Sequence, residues 1–278
     1  MTKVAILIPT HINYEGQTNL LDKCIQSLLN QTILPNSIYI SLSFEDKYIN
    51  DIKNIWAKYK KIYRIIFKRS KKQKYQMEHL YNIVSNINEG DYDMFMFCDD
   101  DDTYHSTRIE VLINAFNYGK KMYPTKFGGV REIFVDKIND WPEYWAYGIK
   151  SSVIKDFFKL FENKNYMFLQ NKFGDMYLRC YLFRNKKYLN WINIEETDNI
   201  PSSQRLYNYN TNNQNSICGK LEKIEKLEYE DILNQIILDI IYYSNIRKFK
   251  EIINKYKKYN INNKILADIY NFSKLLYK

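Results

Sequence analysis

Glycine is scarce in this chain, with 8 among 278 residues. Between Pro9 and Gln17, directly after the first apolar run, only Gly16 is present. No glycine-rich phosphate cradle follows the first strand, which counts against a sugar nucleotidyltransferase. Cysteine is scarcer still. Cys24, Cys98, Cys180 and Cys218 are widely separated and form no C-x-x-C pair, so neither a zinc site nor a disulfide framework is expected. Long apolar runs are missing as well. Val4 to Ile8 stops at Pro9, too short for a secretory signal. Ile232 to Tyr243 is broken by Asn234, Gln235 and Asp239 and falls short of a membrane span. These absences lead to the expectation of a soluble, cytoplasmic protein with reduced thiols.

What is abundant is basic charge. The chain has 41 Lys and Arg against 32 Asp and Glu, a net +9, which favours an anionic partner: a nucleotide, a nucleic acid or a lipid surface. The 26 tyrosines accompany frequent Lys, Asn and Ile, a bias that an AT-rich genome produces without functional selection. A chain of 278 residues can bury one substantial core. One main domain over 1–220 and a C-terminal helical extension over 221–278 are expected.

Val4 to Ile8 is a continuous β-prone run ended by Pro9-Thr10, as in a strand buried on both faces. The spacing predicts helices over 19–29, 48–59 and 76–86, and strands over 37–43, 63–68 and 94–98. This alternation indicates βαβ units and a mostly parallel sheet. Further on, helices are predicted over 108–118, 151–161 and 175–183 and a strand over 128–135, with an aromatic strand or loop over 144–149. Residues 196–217 are polar and Asn-rich and read as a long surface loop able to order over a ligand. Beyond Leu221, the spacing of Leu227, Ile232, Ile236 and Ile240 is helical.

The most informative stretch runs from Phe97 to His105 (FCDDDDTYH), directly after an apolar strand. Adjacent carboxylates repel one another by about 1 kcal/mol per pair even in water, so gathering Asp99, Asp100, Asp101 and Asp102 calls for a compensating cation. In an extended segment Asp99 and Asp101 would share one face, with Asp100 and Asp102 on the other. Hard oxygen ligands suit Mg2+ or Mn2+, whose shell is commonly completed by water and a diphosphate. In open α/β sheets, ligands bind beyond the carboxyl ends of strands, where this cluster falls.

From Phe97 to Leu112 (FCDDDDTYHSTRIEVL), together with the opening VAILIPTHIN, the sequence resembles nucleotide-sugar glycosyltransferases of the GT-A fold, family 2 above all. The resemblance covers roughly residues 3 to 215 and implies a Rossmann-like α/β fold, its mostly parallel sheet flanked by helices and followed by a C-terminal helical appendage. It implies that Asp99 approaches the nucleotide and the metal, that Asp101 holds the metal bridging the diphosphate, and that Asp102 contacts the donor sugar. Asp100 is the filler position of the donor-binding cluster. Pro9, Thr10 and His11 fall in the loop that holds base and ribose. Glu45 and Asp46, in SLSFED, stand near the place of an acidic pair that reads the pyrimidine.

Lys68 to Lys74 carries five cations in seven residues. It reads as a solvated charge run or, in the sharper reading, brings Lys71, Lys72 or Lys74 to the diphosphate, with Gln76, His79 and Asn82 facing the donor. Asp175, in NKFGDMYL, matches the position of the catalytic base, with Gly174 where Glu is frequent in the family; a helix cap is the alternative. Trp141 to Tyr147 offers flat faces either to an acceptor sugar or to the core. The loop over Tyr207 to Asn212 lacks the Arg and His that close over the diphosphate in many relatives, and Arg205 is the nearest substitute.

The implied function is metal-dependent transfer of a hexose from a nucleotide diphosphate sugar, UDP-linked by preference, to a glycan or glycoconjugate hydroxyl, with inversion. A nucleic-acid-binding module is the non-enzymatic alternative, but four clustered Asp would repel phosphates, so no nucleic-acid partner is expected. The basic C-terminal segment, Arg247 to Lys258, leaves room for peripheral membrane contact.

Overall fold

The computed structural model describes residues 2–62, 64–70, 72–134, 143–171, 174–185, 187–196, 205–210, 239, 251, 254–255 and 263–276. The first hundred residues form β1 (Val4–Ile12), α1 (Gln17–Leu29), β2 (Ser37–Phe44), α2 (Ile49–Tyr59), β3 (Ile65–Arg69), α3 (Gln76–Val84) and β4 (Met94–Phe97). A short β5 (Thr103–Tyr104) precedes α4 (Arg108–Met122) and β6 (Phe127–Phe134). A 3-10 turn over Tyr144–Ala146 leads into β7 (Tyr147–Lys150), followed by α5 (Ser151–Lys159), α6 (Gly174–Arg184), β8 (Asn190–Glu196), β9 (Tyr207–Asn208) and α7 (Asn263–Leu275).

Seven strands make one sheet in the order β3-β2-β1-β4-β7-β6-β8. The β2/β3, β1/β2, β1/β4 and β6/β8 pairings are parallel, and β7 runs antiparallel to both neighbours. This is the mixed α/β, mostly parallel architecture that the resemblance implies. The chain winds outward from β1 to β3 and then returns to β4 on the other side, so the carboxyl ends of β1 and β4 flank a topological switch point.

Helices cover both faces, which explains why β1 reads as one apolar run. Ala5 and Leu7 join Met77 and Leu80 of α3 and Phe157 of α5 in one core. Val4, Ile6 and Ile8 join Leu21, Ile25 and Leu28 of α1 and Leu112 and Phe116 of α4 in the other. The strand does not end at Pro9, as the sequence suggested. Pairing with β4 stops at the Leu7–Phe97 match, while pairing with β2 continues to Ile12. Beyond Leu7 one edge of β1 is therefore open, and proline's missing N–H is tolerated there.

β8 and β9 were not anticipated. Among the described residues β8 (NWINIEE) pairs only with β6 at the sheet margin, and its polar residues give little periodic signal. Asn208 and Tyr207 of β9 pair with Thr103 and Tyr104 inside the stretch expected to be a loop. Of the helices expected beyond Leu221, α7 packs on the main core: Phe272 is 1% exposed and stacks on Phe168 at 4.2 Å. Leu227, Ile232, Ile236 and Ile240 lie outside the described residues. Among the described residues no helix is long and apolar enough to cross a membrane.

Candidate active site

The acidic residues follow the fully buried β4, but they are not extended. Asp102 N donates to Asp99 O at 3.2 Å, closing a turn, so the expected alternation of faces does not occur. The carboxylates diverge instead. Asp100 Oδ2 accepts from Thr10 Oγ1 and, at 3.0 Å, from Gln17 Nε2, tying the turn to β1 and to the first residue of α1. Asp99 Oδ1 accepts from Tyr144 OH and, at 3.0 Å, from Gln76 Nε2, which also donates to Tyr144 OH at 2.8 Å. Asp102 Oδ2 accepts from Tyr207 OH and Oδ1 from Asn210 N, both at 2.7 Å. Asp101 is half-buried on the turn.

The Asp99 branch leads to Asp175. Tyr144 is 3% exposed, and the anions of Asp99 and Asp175 both add to the burial that holds its phenol protonated. Asp175 is in the first turn of α6, where Gly174 lets the helix approach α3. A Cβ at Gly174 would lie 2.6 Å from Met77 Cγ and 3.0 Å from Met77 Cβ. Glycine here thus has a packing reason, and any side chain would press on the residue next to Gln76. Burial foremost, then Glu143, pushes the Asp175 carboxyl up to about 6, although backbone N–H groups at the helix start oppose the shift.

The Asp102 branch is a strap. Tyr207, 5% exposed, stacks on Trp145 at 4.3 Å, and the more exposed Tyr209 stacks on the same indole at 5.8 Å. Trp145 is thus engaged by the strap, and of the aromatic residues there it is Tyr209 that offers surface to a ligand. Trp141 and Pro142 lie outside the described residues. Beneath the strap Arg108 is fully buried. Its Nε donates to Glu132 Oε1 at 2.7 Å and its Nη2 to Trp145 O at 2.7 Å, and the guanidinium lies over the Tyr104 and Tyr207 rings at 4.1 and 4.7 Å. Its Nη1 has no hydrogen bond among the described residues, which the aromatic faces partly offset.

On the β1 side, Pro9, Thr10 and His11 lie within the strand rather than in a loop, and Pro9 and Thr10 are buried. His11 is half-buried and its Nδ1 bonds Ser43 Oγ at 2.8 Å. His79 does not face the donor side of α3: it is 1% exposed and bonded to Ser41 and Ser43 of β2. Glu45 is exposed and pairs with Lys47 at 2.7 Å, and Asp46 opens an exposed 3-10 turn. Lys74 is half-buried between β3 and α3, close enough to His79 to depress its basicity. Asn82 is half-buried, Lys72 is exposed, and Lys71 lies outside the described residues. Arg205 is half-buried on the strap.

Burial, reinforced by Asp101, pushes Asp100 up to about 7. Burial likewise pushes Asp102 up to about 7, against the pull of its two donors. Asp99 is likewise raised well above the ordinary carboxylate range, by burial and then by Asp102. Carboxyls so placed bind cations and protons competitively. Among the described residues no three Asp, Glu, His or Cys side chains form a ready-made metal cage.

Gln17 is a site-building residue that the sequence did not disclose, and Tyr207 and Asn210 lie in the loop expected to order over a ligand, though not with the partners seen here. The three reach Asp100 and Asp102 across 83 to 108 positions. Cys24, Cys98 and Cys180 are buried thiols, and Cys24 Sγ lies 3.6 Å from Cys98 Sγ behind the acidic turn.

No family model matches the chain, and no curated protein matches it. Among solved structures it is similar in fold to TarS of S. aureus, with a TM-score of 0.46 and 11% identity. That alignment covers 99% of this chain and 54% of TarS, so the chain spans about half the length of that protein. For TarS 1-349 in complex with UDP the TM-score is 0.49 at 10% identity, covering 94% of this chain and 76% of that one. For the same fragment in complex with UDP-GlcNAc the values are 0.49 and 10%, covering 99% and 89%.

Proposed function

We propose that the chain is a glycosyltransferase that moves a hexose from a nucleotide diphosphate sugar, with UDP as the nucleotide to test first, to a hydroxyl of a glycan or glycoconjugate, with inversion. One observation carries this reading. Four carboxylates sit at the β1/β4 switch point, three of them aimed apart by dedicated donors from β1, α1, α3, the Tyr144 turn and the strap.

The donor set suits Mn2+ or Mg2+. Asp99 and Asp100 each spend one oxygen on protein donors, and neither Asp99 Oδ2 nor Asp100 Oδ1 has a hydrogen bond among the described residues. A hard ion that takes one or two carboxylates and completes its shell with water and phosphate needs no protein cage. Asp99 and Asp101 would hold it. When bound, the ion neutralises charge on the leaving diphosphate.

The chain's own groups supply the rest. Thr10 and Gln17 fix the acidic turn against β1, and Tyr144 with Gln76 orients Asp99. Asp175 takes the proton from the acceptor hydroxyl as its oxygen attacks the anomeric carbon, opposite the bond that breaks to the diphosphate. A carboxyl near 6 is ionised at neutral pH and remains basic enough for this role. The strap over Asp102, with Tyr207 buried, limits the access of water to the donor.

The test is UDP release from a panel of UDP-hexoses by wild type and Asp175→Asn. The variant is expected to lose at least about a hundredfold in turnover, the range for a lost general base, with UDP affinity within about twofold. Equal turnover would remove Asp175 as base. No release from UDP-, GDP-, CDP- or dTDP-hexoses by the wild type would contradict the transferase reading.

A further inference from the structure

Glu143 opens the 3-10 turn that carries Tyr144, yet its side chain takes no part in the steps above. Its backbone is held in place: Ala146 N donates to Glu143 O at 3.0 Å, and the next residue, Tyr144, is buried with its phenol on Asp99. From there Glu143 Oε1 accepts from Arg179 Nη1 at 3.4 Å. The side chains of Arg179 and Glu143 are 22% and 46% exposed, so the pair lies at the rim of the site.

Arg179 matters because of its place on α6. It follows Asp175 by four residues, and an acidic residue followed by a basic one at that spacing share a helix face and pair readily. Among the described residues Asp175 and Arg179 form no ion pair, and the guanidinium reaches instead to Glu143. A guanidinium seated on Asp175 would stabilise its ionised form and make it a weaker base. The other groups around Asp175 do not replace Glu143 in this. Tyr144 faces it from the turn, Tyr177 belongs to the same helix, and the backbone N–H groups of Asp175 and Met176 point to it from the helix start. Arg131 of β6, which acts with Arg179 and Glu143 on the Tyr147 phenol, bonds Asn193 Oδ1 at 2.8 Å. Where α3 meets the start of α6 it presents Met77, which has no charge. Among the described residues Glu143 is thus the carboxylate, and Arg179 the side-chain cation, that act on Asp175 most strongly.

We propose that Glu143 is a positioning residue for the transfer: it holds Arg179 away from Asp175 and so supplies, from a separate turn, the second carboxylate that the chain lacks at Gly174. The proposal rests on the reading of Asp175 as the base. Any side chain at position 174 would press on Met77, so a carboxylate beside Asp175 has to come from another element. The turn that orients Asp99 through Tyr144 therefore also keeps Asp175 basic through Glu143.

Carboxyl 13C NMR on the full chain, labelled at aspartate, follows the ionisation of Asp175 without any substrate, and Asp175→Asn identifies its signal. Glu143→Gln keeps the shape of a half-exposed side chain and removes its charge. It is expected to bring the Asp175 midpoint from about 6 down to about 5 or below, as Arg179 turns to Asp175. Adding Arg179→Met is expected to return the midpoint towards the wild-type value. In UDP-hexose turnover the acid limb of kcat should move down with the midpoint. At neutral pH kcat should fall about three- to tenfold with donor KM unchanged, because a base tenfold weaker loses at most about tenfold in rate. A midpoint that ignores Glu143→Gln overturns the proposal. So does a lowered midpoint that Arg179→Met fails to restore, since Glu143 would then act by its own charge and not through Arg179. If the wild type transfers no sugar, the reading of Asp175 as base fails, while the NMR titration still decides whether Glu143 holds Arg179 away from it.

Discussion

Tyr207 donates its phenolic hydrogen to Oδ2 of Asp102 at 2.7 Å while its ring lies 4.3 Å from that of Trp145, so one side chain fastens the strap to the acidic turn by both a polar and an aromatic contact. Tyr207→Phe keeps the stack and removes this bond together with the one the phenol oxygen accepts from Asp99 N at 3.2 Å. A buried bond to a carboxylate contributes about 1.5–3 kcal/mol, so the melting temperature is expected to fall by several degrees and donor KM to rise more than kcat falls. Differential scanning calorimetry and donor kinetics check this. An unchanged melting temperature would mean that the phenol does not hold the strap.

Arg108 and Glu132 form a buried ion pair under the same strap, with side chains 0% and 6% exposed. Removing either partner leaves an uncompensated buried charge. Arg108→Leu and Glu132→Leu should each cost about 3–5 kcal/mol in urea unfolding, and the double variant should cost less than their sum. Strict additivity would show that the two residues act independently.

Gly174→Ala places a Cβ 2.6 Å from Met77 Cγ. Overpacking of this kind costs about 1–3 kcal/mol, and the strain falls on the residue beside Gln76, so both stability and activity should drop. Adding Met77→Ala removes the Cγ clash and leaves only the tight Cβ contact at 3.0 Å, so activity measured in the double variant should recover in part relative to Gly174→Ala. Failure to recover would locate the role of Gly174 elsewhere.

Asp100 and Asp102 are pushed up to about 7 from an ordinary 3.8, chiefly by burial. A carboxyl raised in the folded state stabilises the fold most below the unfolded value, and that contribution is lost as pH rises through about 7. The metal-free protein should therefore lose stability as pH rises from about 4 to about 7, with little further loss above that, and Asp100→Asn should lose less. Because Mg2+ competes with these protons, its thermal stabilisation should be larger at pH 8 than at pH 6. A Mg2+ shift independent of pH would contradict the placement of the ion among these carboxylates.

Much of the scaffold was legible because β1 and β4 are apolar on both faces and the intervening helices keep their spacing. The ends of elements were less so. Pro9 reads as a stop, yet it lies in a strand whose open edge depends on where β4 ends. The acidic tetrad marked the candidate site, but not its geometry, because the turn is closed by a backbone bond from Asp102 to Asp99. Gln17, Tyr144 and Asn210 find their carboxylates only through the fold. His79 looked like a cleft residue from its helix position, and the serines of β2 turned it into a buried link.

The proposed function requires the turn at Asp99–Asp102 to bind a nucleotide diphosphate together with a divalent ion. Isothermal titration of UDP with and without Mn2+, on wild type and Asp101→Asn, tests it most directly. Mn2+-dependent binding of UDP to the wild type, lost in the variant, is the expected result. Binding that ignores both Mn2+ and Asp101, or no binding of any nucleoside diphosphate, would contradict it.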